Sequence, residues 1–89
     1  MALDNTQLND VKTKLEAGTI LRTIISDDYP AETIPSVRQQ MVAEFGQAEF
    51  QGMMLSSRMV GKTVEELNTV ITNVQARLDS ITAIRDSKL

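Results

Sequence analysis

The strongest chemical suggestion in the chain comes from Gly61, Lys62 and Thr63, which close the run Ser56-Ser57-Arg58-Met59-Val60-Gly61-Lys62-Thr63. In a phosphate-binding loop of the form G-x-x-x-x-G-K-[ST], successive backbone N–H groups cradle phosphates while the lysine reaches their oxygens. Here Ser56 stands where the first glycine belongs, and the run continues a helical pattern instead of following a parallel strand. It therefore reads as a helix–helix turn with Thr63 as N-cap. A simpler anion site is the alternative reading: free N–H groups at a helix start, flanked by Arg58 and Lys62, with Arg22 brought in from a neighbouring subunit. Glu65 and Glu66 already bring negative charge to that helix start.

Catalysis has little to draw on. The chain contains neither His nor Cys, which removes the commonest general base and metal ligand, every thiolate site and any disulfide. Asp27 and Asp28 read as loop acids, Glu65 and Glu66 as first-turn acids, where carboxylates cap helices or sit solvated. No calcium-loop spacing is present, and a serine hydrolase without His would need a Ser-Lys arrangement for which no motif exists. The expectation is a non-enzymatic protein with no catalytic residues, no metal and no cofactor. Twelve acids against nine bases give a formal charge of −3, which disfavours duplex nucleic acid and anionic membrane as partners. No segment has the character of a signal peptide or a membrane span, so a cytoplasmic protein is expected, in the host-cell cytoplasm if the chain is viral.

The elements that must position these residues are helical. Eighty-nine residues with 42% apolar and 24% charged content make one ordered domain, which at this size buries only about 60–65% of its unfolded surface. Oligomerisation would relieve that. The first helix, about residues 4–26, starts with Asp4 as N-cap, Gln7 at N3 and a Leu3–Leu8 staple. Its apolar face runs from Leu8, Val11 and Leu15 to Ile20, Leu21, Ile24 and Ile25, with Gly18 marking a bend. Residues 27–35 carry both prolines and form the long connection, which Tyr29 and Ile34 pin to the bundle.

A second helix over about residues 36–60, capped by Ser36 with Gln39, is apolar on two opposite sides. Val37, Met41, Phe45, Ala48, Gly52, Leu55 and Met59 share one stripe, and Ala43, Phe50 and Met54 fall nearly opposite. The first stripe is read as core, and the second needs cover from another molecule. Ala43, Phe50 and Met54 are accordingly the expected interface, toward another subunit or a protein partner. Ala48, Gly52 and Ser56 form a small-residue row that allows close helix approach. The third helix, about residues 63–86, opens on a Thr63–Glu66 capping box. It keeps Val64, Leu67, Ile71, Val74, Leu78 and Ile81 at alternating spacings of three and four, a seam of about three heptads that ends at Arg85 and Lys88. Val70 and Ile84 widen that face.

The stretch Gln51-Gly52-Met53-Met54-Leu55-Ser56-Ser57-Arg58-Met59-Val60 resembles a Q-G-[FM]-M-x-x-x-R-x-V segment of small helical phage proteins that sequester cyclic oligonucleotide defence signals. The resemblance spans these residues alone, and the third helix departs from that family's usual ending. It implies a cyclic nucleotide ligand held at subunit interfaces. The sequence as a whole predicts an all-α fold, a three-helix bundle or a helical hairpin with an additional N-terminal helix, assembled as a homo-oligomer. The expected role is that of a scaffold, chaperone or viral accessory protein that self-associates through its middle helix, with the phage-type sponge as the alternative.

Overall fold

The computed structural model describes residues 2–89 and is entirely helical among them, with α1 at Asn5–Glu16, α2 at Leu21–Asp28, α3 at Ile34–Phe45, α4 at Gln47–Met59 and α5 at Val64–Ser87. The three helices expected from periodicity thus become five, because two glycines adopt backbone that a helix cannot contain. Gly18 has φ +105°. Its N–H donates to the Leu15 carbonyl at 3.1 Å and the Thr19 N–H to the Lys14 carbonyl at 2.9 Å, the paired closure of a Schellman motif. The expected helix over 4–26 therefore stops at Glu16 and restarts at Leu21. Gly46 has φ +89° and ψ 155°, a region open only to glycine, and it breaks the expected helix over 36–60 into α3 and α4.

The helix starts follow the sequence more closely. Asp4 and Gln7 form a reciprocal capping box, as do Thr63 and Glu66. The start of α3 is corrected: Thr33 is the N-cap, its side chain accepting from the Ser36 N–H, and Pro35 occupies the first turn, where a missing N–H costs nothing. The long connection is accordingly shorter than expected. Tyr29 and Ile34 do pack against the core.

One apolar core joins α1 to α4. Leu8, Val11 and Leu15 of α1 meet Leu21, Ile24 and Ile25 of α2, Val37 and Met41 of α3, and Phe50 and Met53 of α4. Ser57 is the one buried polar residue among those described; its hydroxyl donates to the Met54 carbonyl at 2.7 Å, which satisfies it. A polar staple fastens α1 to the end of α2. Lys14 Nζ donates to Asp10 at 2.9 Å and also pairs with Asp28, and the Tyr29 hydroxyl donates to Asp10 Oδ2 at 2.8 Å. The hydrogen bonds from Lys14 and Tyr29 hold the Asp10 carboxyl below its ordinary range. Lys14 is correspondingly pushed up, chiefly by its hydrogen bond to Asp10, and burial followed by that same carboxylate raises Tyr29.

The last helix stands apart. No residue of α5 is buried, and Ile71, Val74, Leu78 and Ile81 remain 63%, 53%, 53% and 63% exposed. The apolar seam read from the sequence does not close the core of its own chain: α1 to α4 complete that core without it. At about 1.5 Å per residue its length is roughly 36 Å.

Candidate groove between the third and fourth helices

The break at Gly46 sets α3 and α4 around an open concavity. A continuous helix would hold Arg38 and Arg58 about 30 Å apart along its axis. With α4 turned out of line, the two side chains instead line one open cavity of about 820 Å³, within the range of small-molecule and peptide sites. From α3 come Arg38, Gln39, Val42 and Ala43, and from α4 come Gln47, Phe50, Gln51, Met54, Leu55 and Arg58. Within each helix these positions repeat at about four residues, so each set forms one face. Nothing in the space around Gly46 opposes a Cβ, so glycine is needed there for its backbone alone.

All three residues expected at an interface, Ala43, Phe50 and Met54, line this groove. Their exposure differs. Phe50 is only 5% exposed and belongs to the core of its own chain, so its assignment to a face needing external cover is corrected. The turn at Gly46 rotates α4 about its own axis relative to α3, and a side chain predicted opposite the core stripe swings into it. Leu55, expected in the core, is 51% exposed for the same reason. Ala43 is exposed and Met54 half-buried. Of the small-residue row, Gly52 and Ser56 border a smaller cleft shared with Lys12 and Glu16 of α1.

The basic residues proposed around an anion are only partly brought together. Arg58 lines the groove, whereas Lys62 and Arg22 do not. At the Gly61-Lys62-Thr63 junction the capping donors are already used. The Thr63 N–H donates to Glu66 Oε1 at 3.1 Å and the Glu66 N–H to Thr63 Oγ1 at 3.2 Å. The backbone hydrogen bond from Thr63 holds the Glu66 carboxyl below its ordinary range, so the anion at this helix start is the chain's own. Arg38 is the residue that sequence reasoning missed. Its signal was the glycine break, since only a bend at Gly46 places it with Arg58.

Among the described residues neither Arg38 nor Arg58 has a carboxylate within ion-pair distance. The groove therefore offers two uncompensated guanidinium groups and three glutamine amides above an apolar floor of Val42, Phe50, Met54 and Leu55. Such a lining suits binding: charge and amides orient a polar group while the floor holds apolar surface. No described helix is long and apolar enough to cross a membrane. No protein-family model, curated protein or solved structure matches the chain.

Proposed function

We propose that this chain is a non-enzymatic helical interaction protein, of scaffold, chaperone or viral accessory type, that works as a homo-oligomer. The observation that carries this reading is the uncovered seam of α5. Val64, Ile71, Val74, Leu78, Ile81 and Ile84 are all more than half exposed, and they recur on one side of a helix that buries nothing within its own chain. In proteins most helical stability comes from packing of an apolar face rather than from intrinsic propensity. This one is rich in β-branched Val, Ile and Thr, which lower helix propensity, so its stability has to come from packing against another molecule. Self-association thus draws on α5, where the middle helix alone was expected to supply it, and the α3–α4 groove is left open to a binding partner.

Melting the protein over a hundredfold range of concentration tests the reading, because association that stabilises the folded state makes the melting temperature rise with concentration. A melting temperature independent of concentration contradicts it.

A second reading is favoured by Arg38 and Arg58. Two guanidinium groups without carboxylate partners fit a phosphate-bearing ligand, and the cyclic oligonucleotide sponge is the form that agrees with the resemblance around Gln51–Val60. Calorimetry against cyclic di- and trinucleotides tests it. Binding that weakens with salt and is lost in Arg38→Ala with Arg58→Ala supports this reading, and silence at tens of micromolar ligand removes it.

A further inference from the structure

We infer that two copies of the chain pair through α5 in antiparallel orientation, giving a rod with a helical head and an open groove at each end. The inference rests on the self-association reading and adds to it a partner, a register and a geometry. In heptad terms Val64, Ile71 and Leu78 occupy a positions, Leu67, Val74 and Ile81 occupy d positions, and Val70, Arg77 and Ile84 occupy g positions. Orientation decides what the g residues meet, because g faces e in a parallel pair and g in an antiparallel one. Parallel pairing sets Val70 against Gln75 of the other copy. Antiparallel pairing, with Val74 opposite Leu78 and Ile71 opposite Ile81, sets Val70 against Ile84 and extends the apolar contact.

Charge points the same way. The first turn of α5 is acidic through Glu65 and Glu66, while its seam ends in Arg85 and Lys88. Parallel pairing stacks Arg85 on Arg85 and Lys88 on Lys88 within the seam, and lays like ends together. Antiparallel pairing brings each basic end beside the other copy's acidic end and opposes the helix dipoles. Three kinds of contact go against it. Arg85 faces Leu67 and Lys88 faces Val64 at the ends of the seam, where their stems can cover the apolar partner while the charges reach solvent. Arg77 meets Arg77 near the midpoint, where its exposed side chain is free to turn into solvent. The six most exposed seam side chains on two copies bury roughly 450–850 Å² of apolar surface at the area implied by side-chain transfer. Adding polar flanks in ordinary interface proportion gives about 800–1,400 Å², which brackets the roughly 1,000 Å² at which specific interfaces begin. The heads, joined to the N-terminal end of α5, then lie at opposite ends of a shaft about 36 Å long, so the dimer can engage two ligands or partners at once.

Because the chain has no cysteine, disulfide trapping reads the orientation directly. Ile71→Cys and Ile81→Cys lie outside the core and leave the heads folded. In the antiparallel pair, identical positions are about 15 Å apart, beyond the roughly 7 Å a disulfide spans. The expected result is that an equimolar mixture of the two variants, refolded and oxidised together, yields the mixed disulfide dimer, whereas each variant alone remains uncrosslinked. Homodimeric disulfides from each variant alone overturn the orientation while leaving self-association intact. A wild-type protein that is monomeric in sedimentation at 100 μM, roughly a hundredfold above a micromolar dissociation constant, overturns the pairing and the self-association reading together.

Discussion

Replacing Gly46 with alanine separates a bent α3–α4 unit from a continuous helix by the sign of its effect. In a continuous helix, alanine for glycine stabilises by about 1 kcal/mol. At φ +89° and ψ 155° alanine instead occupies a region that costs roughly 1–3 kcal/mol. No atom beyond Gly46 and its two chain neighbours lies within 4 Å of the added Cβ, so the effect is local backbone strain. For a domain of this size each kcal/mol lowers the melting temperature by about 4–8 °C. Gly18→Ala carries the same kind of strain at φ +105° and adds a clash, its Cβ falling 2.6 Å from Val60 Cγ1, so it should destabilise more. Urea denaturation followed by circular dichroism, at fixed protein concentration, measures both. A neutral or stabilising Gly46→Ala refutes the bend and the groove that depends on it.

Leu15→Ala, at a fully buried α1 position, should cost roughly 2–5 kcal/mol of unfolding free energy. Leu78→Ala, at a half-exposed α5 position, should leave the packing of α1 to α4 unchanged within about 0.5 kcal/mol while weakening association, which parallel denaturation and dilution experiments resolve. The depressed pKa of Asp10 contributes stability that is present above the unfolded value near pH 4 and is lost as the pH falls through the lower folded value. Tyr29→Phe removes one of the hydrogen bonds behind that depression, so its stability deficit should be present at pH 6 and shrink below about pH 4. A deficit that is constant with pH means the hydroxyl does not act through the ionised carboxylate.

Local signals carried the helical character of the chain and the starts of α1 and α5. The Asp4–Gln7 and Thr63–Glu66 boxes, the α1 stripe of Leu8, Val11 and Leu15, and the anchoring of Tyr29 all depend on neighbours within a turn or two. What periodicity could not supply was backbone continuity. A glycine in a helical pattern is compatible with a mild cost or a full break, and at Gly18 and Gly46 the break prevailed because tertiary packing of α2 and α4 requires the chain to turn. Once α4 was rotated, face assignments within α4 changed, which moved Phe50 into the core, exposed Leu55 and placed Arg58 with Arg38 in place of Lys62. The seam of α5 was legible, but periodicity reports that a face is apolar without saying whose surface covers it. Core completion by α1 to α4 leaves that face uncovered by its own chain, and it depends on contacts between residues far apart in the chain.

Sedimentation equilibrium of the wild type beside Val74→Glu with Leu78→Glu tests self-association through α5 most directly. Both side chains are 53% exposed, so charge there leaves the core intact but places carboxylates in a desolvated seam. The wild type should have a mass above the 9.9 kDa of one chain, rising with concentration, and the double variant should stay at one chain with the core of α1 to α4 still folded. A wild type at 9.9 kDa throughout, or a variant that associates as the wild type does, contradicts the account.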